Sequence, residues 1–168
     1  MRLAKEAGLA VIADTGLNVC NSASAAAVRD LGAEALMLSN EILLSDAVKL
    51  QTAIPKGIVA YGNIPLMLTR NCPLKNGRSC KECDGGGFIT DRMGTEFRVR
   101  CRMGYSELLN SVPIWLADRM NETKGLDFVL LYFTAETAER AAEVIKAYKN
   151  GATADLKYTR GLFYRGSI

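Results

Sequence analysis

The fold of this chain is decided by residues 35–61, which read ALMLSNEILLSDAVKLQTAIPKGIVAY. Two short apolar runs in this stretch, Ala35–Ser39 and Gly57–Tyr61, have the composition of buried strands. Between them, Ser45 and Asp46 can begin a helix, and Pro55 can end it. The stretch therefore predicts a strand–helix–strand unit whose two strands run parallel.

The same alternation of strand and helix extends in both directions. Leu9–Ala13 predicts an earlier strand, and the helix that follows it is capped at Asn21 or Ser22 and stops at Gly32. Towards the C-terminus, Asp127–Phe133 predicts another strand. The last helix has apolar residues at the i, i+3, i+4, i+7 spacing from Ala138 onward and ends at Asn150-Gly151.

The middle of the chain departs from this alternation. Phe88–Arg92 and Glu96–Arg100 flank the turn Met93-Gly94-Thr95, which predicts a β-hairpin. Tyr105–Met120 is predicted to be mostly helical, with an interruption near Pro113.

The number of strands limits the architecture. About four core strands are visible in 168 residues, whereas a closed (β/α)8 barrel typically needs about 250 residues. The predicted fold class is α/β: parallel β/α units that form a small open sheet or about half of a TIM-like barrel, with a cysteine-rich β-hairpin insert at residues 70–102. Because the chain starts abruptly in a helix, a missing barrel half is expected to be N-terminal.

Composition indicates one soluble globular domain spanning residues 1–168. The chain is 49% hydrophobic and 23% charged, which is enough apolar content for a core. No run approaches the roughly 18 apolar residues of a membrane span, and the mixed charges of the N-terminus are unlike those of a signal peptide. The odd number of cysteines, five, excludes complete internal disulfide pairing, so a cytoplasmic location is predicted.

Four of the five cysteines lie close together. Their spacing is Cys72-x7-Cys80-x2-Cys83-x17-Cys101, and Cys20 lies far from them, where a core or pocket-lining thiol is expected. Thiolates are soft ligands that select zinc or iron–sulfur clusters, and four of them saturate either kind of site. The spacing predicts a shared metal site, and scattered buried or surface thiols are the alternative.

The absence of histidine restricts catalysis. It removes the usual general base of serine and cysteine hydrolases and both histidine ligands of a His-Glu-x-x-His zinc protease. Ser111 is therefore rejected as a triad nucleophile.

Basic residues suggest a polyanion as partner. Residues 70–102 carry eight Lys/Arg against four Asp/Glu, an excess found nowhere else in the chain, although a solvated loop would also explain it. Near the C-terminus, two arginines alternate with aromatic residues, which suits phosphate contact and base stacking as well as it suits a packed tail. The residues assigned to nucleic-acid binding are Arg70, Arg78, Arg92, Arg160 and Arg165.

Several motifs extend in order over nearly the whole chain. They are Asn18-x-x-Asn21-Ser22, Leu38-Ser39-x-Glu41, Tyr61-Gly62-Asn63-Ile64-Pro65-Leu66-Met67, Asn71-Cys72-Pro73, Asp91-Arg92-x-Gly94-x-x-Phe97, Leu109-Asn110-Ser111-x-Pro113 and Tyr158-Thr159-Arg160-Gly161-x-Phe163-Tyr164-Arg165-Gly166. Together with the four cysteines they resemble the C-terminal part of a barrel family, the collagenase-like peptidase family 32 of the unassigned (U) class.

The resemblance implies two different activities. The family name implies a peptidase, whereas several bacterial relatives are RNA- or quinone-modifying hydroxylation factors with a four-iron four-sulfur cluster on four cysteines. Carried over, the cluster ligands are Cys72, Cys80, Cys83 and Cys101, with zinc as the alternative metal. The expected partners are RNA and either an N-terminal barrel half or a second copy of the chain. A non-enzymatic, zinc-stapled binding or assembly module is the third alternative.

The remaining polar residues of these motifs have a functional and a structural interpretation each. Glu41, Asp91 and Asn110 are the catalytic candidates, although Glu41 could cap a helix, Asp91 could form a hairpin salt bridge and Asn110 could end a helix. Asn18, Asn21 and Tyr61 are assigned to a pocket at the strand ends, where barrel enzymes place their chemistry. For Asn21, capping of the following helix is the alternative.

Overall fold

The structure is a computed structural model that describes residues 1–75, 79–80, 85–102 and 104–165. The chain divides into two compact units, whereas the sequence was interpreted as one domain. The first unit combines Met1–Tyr61 with the chain from Ile114 onward, and the second unit is Gly62–Pro113.

The elements of the described ranges are as follows. The helices are α1 (Arg2–Glu6), α2 (Ser22–Asp30), α3 (Leu44–Lys49) and α4 (Ala138–Asn150), with short 3-10 helices at Thr15–Leu17 and Ala117–Thr123. The strands are β1 (Ile12–Ala13), β2 (Ala35–Met37), β3 (Lys56–Gly62), β4 (Pro65–Thr69), β5 (Gly86–Thr90), β6 (Glu96–Arg102), β7 (Tyr105–Leu109), β8 (Ile114–Trp115) and β9 (Phe128–Leu131).

A parallel sheet centred on β3 forms the first unit. β2 and β9 both pair with β3 in parallel, β1 pairs in parallel with β2, and β8 also joins β3. All seven residues of β3 are buried, as expected of a central strand covered on both faces. The prediction of an α/β fold with a parallel sheet is confirmed, and among the described residues this sheet does not close into a barrel.

Helices complete the core of the first unit through small and apolar side chains. α2 buries Ala25 and Val28, and α4 buries Val144 against a cluster that contains Tyr61 and Trp115. The Tyr61 and Trp115 rings meet edge to face with centroids 6.0 Å apart, a favourable arrangement of two aromatic rings.

The start of α2 and the end of α4 follow the sequence signals, whereas the end of α3 does not. Asn21 accepts a hydrogen bond from Ser24 N and forms a capping box with that serine at the start of α2. Gly151 adopts a left-handed conformation directly after α4. α3, however, ends at Lys49, well before the predicted stop at Pro55. The Lys56 ammonium group donates hydrogen bonds to carbonyl oxygens at the C-terminal end of α3. These carbonyls therefore need no further helical turn to supply their partners.

An antiparallel sheet in the order β4-β7-β6-β5 forms the second unit. The predicted hairpin is confirmed, since β5 and β6 pair around a turn in which Gly94 has a φ of 79°. β4 lies at one edge of this sheet and was not predicted from the sequence.

The helix predicted at Tyr105–Met120 is wrong. The segment instead contains β7, β8 and the start of the 3-10 helix at Ala117. β7 is held as a strand because β4 and β6 hydrogen-bond its two edges and Arg100 pairs with Glu107 across the sheet. These are long-range contacts, which routinely override local helix preference.

Candidate functional site

The two faces of the second unit's sheet differ in chemistry. Residues opposite each other on antiparallel strands share a face, and successive residues alternate. Val99 and Cys101 of β6 therefore lie on the same face as Gly87, and we call this the cysteine face. The opposite face, which we call the arginine face, is formed by Phe88, Arg98, Arg100, Arg102 and Tyr105.

Leu74, in the turn that follows β4, packs onto the cysteine face. A Cβ added at Gly87 would lie 2.9 Å from Leu74 Cδ1, so the absence of a side chain at Gly87 lets Leu74 approach the sheet. The turn that carries Leu74 is closed by a 3.1 Å hydrogen bond from Lys75 N to Cys72 O. On the sheet, Cys101 N donates to Gly85 O at 2.7 Å.

Three of the four clustered cysteines line one pocket on this face. The pocket has a volume of about 80 Å³, and its lining includes Cys72, Cys80 and Cys101 beside Leu74 and Lys75. All three cysteines are free thiols, with Cys72 half-buried and the other two exposed. Cys72 and Cys101, almost thirty positions apart in the sequence, thus line the same pocket. Cys83 lies outside the described residues.

The donor set of the pocket suits a thiolate metal site, although the described residues do not complete one. Within the described ranges, no three side chains of the Cys, Asp and Glu types are grouped closely enough to hold a metal ion. A Cys-x2-Cys pair supplies two ligands to one centre in tetrathiolate sites, and Cys83 is the second half of that pair here. Lys75 adds a positive charge to a pocket whose ligands would be anionic.

A second group of polar side chains lies at the carboxyl ends of the first unit's strands. The Ser39 hydroxyl donates to the Asn18 amide oxygen, and Glu41 N donates to Ser39 Oγ at 3.1 Å. Cys20 Sγ donates to Asn18 O at 3.4 Å. Asn40 Oδ1 is buried without a hydrogen-bond partner among the described residues. The sequence interpretation named Asn18 and Glu41 but missed Asn40, whose burial has no sequence signal.

Tyr61 points to a carboxylate rather than to open space. Its hydroxyl donates to Glu136 Oε1 at 3.0 Å, while Glu136 Oε2 accepts from Thr134 N and Ala135 N. Burial, followed by the nearby Glu136 charge, raises the pKa of Tyr61 to about 12. Glu136 follows β9, but nothing in the sequence pairs it with Tyr61, 75 residues earlier.

The catalytic candidates are each held by local contacts. The Glu41 side chain is exposed at the end of β2. Asp91 accepts from Met93 N at 2.8 Å and Thr95 N at 2.9 Å, which stabilises the hairpin turn; among the described residues it forms no salt bridge. Asn110 is fixed through its backbone, because its N–H donates to Ile64 O and its carbonyl accepts from Asn63 Nδ2.

The nucleic-acid candidates differ in how free they are. Arg70 and Arg92 are exposed and have no ion pair or hydrogen bond within the described part of the chain. Arg160 is engaged: it forms a two-fold ion pair with Asp118, at 2.7 Å for each contact, and donates to Trp115 O at 2.6 Å. Arg165 is exposed in the C-terminal turn, and Arg78 lies outside the described residues.

No protein-family model matches this chain, and neither does any curated protein or solved structure. Across the described ranges, none of the helices has the length and apolar character that crossing a membrane requires.

Proposed function

We propose that Cys72, Cys80, Cys83 and Cys101 hold a four-iron four-sulfur cluster in the C-terminal part of an RNA-modifying, hydroxylation-type factor. The observation that carries the proposal is the single pocket lined by three of these four thiols. Four cysteine thiolates are the usual ligand set of such a cluster, and a cluster bound there would supply one-electron transfer.

The size of the second unit's core supports a metal centre independently. The unit has 52 residues, and among those described the only large apolar side chains that are buried are Val99 and Leu109. Domains of this size rarely stabilise themselves by one hydrophobic core and commonly add a disulfide or a metal. The described cysteines are free thiols, so a metal fits this need.

The other residues of the pocket would support the bound group. Leu74 lies over Gly87 and supplies an apolar wall to the pocket. Lys75 would offset the negative charge that several thiolates bring to one centre. The hydrogen bond from Cys101 N to Gly85 O holds the β6 ligand against the start of β5, beside the pocket.

The parallel strands of the first unit support the proposal that this chain is part of a barrel protein. β1, β2, β3 and β9 are parallel neighbours in the sheet, as strands of a (β/α)8 barrel are, although β4–β8 lie between β3 and β9 in the chain. The resemblance to peptidase family 32 extends over both units. We therefore propose that the first unit is about half of a TIM-like barrel, completed by an N-terminal half or a second copy, with the second unit as its cysteine-rich insert.

A zinc staple is the second candidate function, favoured by the same small core. Four thiolates saturate zinc, which leaves no coordination position for a catalytic water. In this case the second unit would be a binding or assembly module. For the same reason a peptidase could not use this metal, and its acidic residues would have to act elsewhere.

The experiment that separates these functions is metal analysis of protein purified without oxygen. The proposal expects about four iron and about four sulfide per chain with a brown chromophore. We expect Cys101→Ser to lose the metal and Cys20→Ser to keep it, because Cys20 lies outside the pocket. One zinc per chain without sulfide would indicate that the site is a structural zinc staple and not an iron–sulfur cluster. Equal metal content in both variants would overturn the shared site.

A further inference from the structure

The arginine face combines positive charge with exposed aromatic rings. Arg98, Arg100 and Arg102 alternate along β6, so all three project from the same side of the sheet. Phe88 on β5 lies opposite Arg98, and Tyr105 on β7 lies opposite Arg102. Phe88 is 51% exposed and Tyr105 is 40% exposed, so both rings offer surface to a ligand.

Two of the arginines on this face contact the same carboxylate, and a third lies over an aromatic ring. Glu107 accepts from both Arg100, at 2.6 Å, and Arg102, at 3.3 Å, so one carboxylate serves two guanidinium groups. Arg98 lies over the Phe88 ring at 4.6 Å from its centroid. Arg70, which has no partner among the described residues, lines a pocket of about 220 Å³ with Leu68, Thr69 and Tyr105.

The net charge of the chain is concentrated in this unit. Gly62–Pro113 contains eight Lys/Arg and five Asp/Glu, a net charge of +3, which equals the net charge of the whole sequence. The rest of the chain is neutral. A ligand attracted by charge would therefore be steered to the second unit.

We infer that the arginine face binds single-stranded nucleic acid. Guanidinium groups bind phosphates, and exposed rings on a sheet stack unpaired bases with little regard to sequence. From strand spacing and residue rise, Phe88 and Tyr105 are about 16 Å apart, so they suit different bases of one strand. The pocket beside Tyr105 adds space for a base next to the Arg70 guanidinium. An acidic protein surface would use the arginines but not the rings.

This inference deepens the proposed function, on which it rests only for the choice of RNA over DNA. The residues that carry it, apart from Arg70, differ from those named from the sequence. They also lie opposite the cysteine face, so the same sheet would present a metal on one side and a nucleic-acid strand on the other.

The test is fluorescence anisotropy with a labelled twelve-nucleotide oligouridylate at several salt concentrations. We expect Phe88→Ala and Tyr105→Ala each to weaken binding roughly tenfold through lost stacking, and Tyr105→Phe to restore it. Arg98→Gln should lower the slope of log affinity against log salt by about 0.7, the value for one phosphate contact on a single strand.

Two matched controls change residues that are not part of the face. Arg29→Gln on α2 makes the same charge change, and Met93→Ala removes a side chain that is 90% exposed at the hairpin tip. Both should bind as wild type does. Circular dichroism checks that each variant folds. If Phe88→Ala unfolds the sheet, the binding of Tyr105→Ala tests the inference instead, because that ring lies on a different strand.

Three results would overturn the inference. They are no binding at 50 mM salt, full binding by both alanine variants, and equal competition by polyglutamate, which would indicate an acidic protein partner. Metal content is measured on the same samples. If the protein binds the oligonucleotide but contains no metal, the proposed cluster is refuted and this inference stands. If it contains metal but does not bind the oligonucleotide, this inference is refuted and the proposed cluster stands.

Discussion

At the scale of single residues, Lys56 shows how a buried charge can be accommodated. Its ammonium group donates to Ala47 O at 2.7 Å, Val48 O at 2.9 Å and Leu50 O at 2.6 Å, so all three protons are used. Burial lowers the pKa of Lys56, and the charge of Asp127 opposes that shift. The lysine thus satisfies carbonyls that the end of α3 leaves without partners.

Arg160 and Asp118 lead to a prediction about pH. The hydrogen bonds from Arg160 hold the pKa of Asp118 below its ordinary value of 3.8. Because the folded pKa is depressed, the pair stabilises the protein fully above pH 3.8 and loses this effect as the pH falls through the folded pKa. We expect Asp118→Asn to lower the free energy of unfolding by about 2 kcal/mol at pH 7. Urea denaturation from pH 7 to pH 3 should show the difference from wild type shrinking below pH 4.

The control for this prediction is a second ion pair of the same geometry. Arg140 forms a two-fold contact with Asp155, but the Asp155 side chain is 66% exposed, whereas that of Asp118 is 19% exposed. Solvent screens exposed pairs, so Asp155→Asn should cost less than Asp118→Asn at every pH. Equal losses would show that burial does not strengthen the Arg160 pair.

Some of the residues in the candidate sites could be predicted from the sequence, and others could not. The spacing of Cys72 and Cys80 and the predicted hairpin together suggested that Cys101 returns to the same region, and all three residues line one pocket. Tyr61 was selected, but its partner Glu136 was not, since they meet only when β3 and β9 pair. Arg160 was assigned to RNA because its charge is visible in the sequence and its pairing with Asp118 is not.

At the scale of elements, the helix ends were the most predictable features. The signals at Asn21 and Gly151 are local, and local hydrogen bonds decide where α2 and α4 begin and end. The segment from Tyr105 was misassigned because its strand pairing depends on β4 and β6. Without knowledge of those neighbours, Ser-Glu-Leu-Leu has the composition of a helix.

The pairing of β3 with β9 leads to a prediction at Gly57. A Cβ at this position would overlap the Phe128 ring, with Cζ at 2.8 Å, because the ring packs directly over the glycine. We expect Gly57→Ala to lower the free energy of unfolding by about 1–3 kcal/mol, the usual cost of overpacking a core. Urea denaturation measures it.

Gly16→Ala is the matched control, because a Cβ there meets no atom within 4 Å and the backbone is not left-handed. Its effect should stay within about 0.5 kcal/mol. Similar small effects of both substitutions would mean that the Phe128 ring moves aside freely and that the β3–β9 contact is loosely packed.

At the scale of the whole molecule, the two units are stabilised differently. The first unit contains nearly all the buried apolar residues described, among them Leu36, Ile58 and Trp115. The second unit has a cross-strand ladder, the Arg100–Glu107 pair and a pocket of thiols. Hydrophobic burial is the dominant favourable term in folding, so we expect a group bound by the thiols to matter more for the second unit than for the first.

This difference predicts which part of the chain responds to loss of metal. If the cysteine pocket binds a metal, removing it with a chelator should increase amide exchange in Gly62–Pro113 and leave β2 and β3 protected, because free energies of local opening follow local contacts. Hydrogen exchange read by mass spectrometry, with and without chelator, makes the measurement. The Cys20→Ser variant should respond to chelator as wild type does, whereas Cys101→Ser should exchange quickly even before chelation. Equal acceleration in both units would show that the metal stabilises the whole fold, and no acceleration would show that the second unit needs no metal to fold.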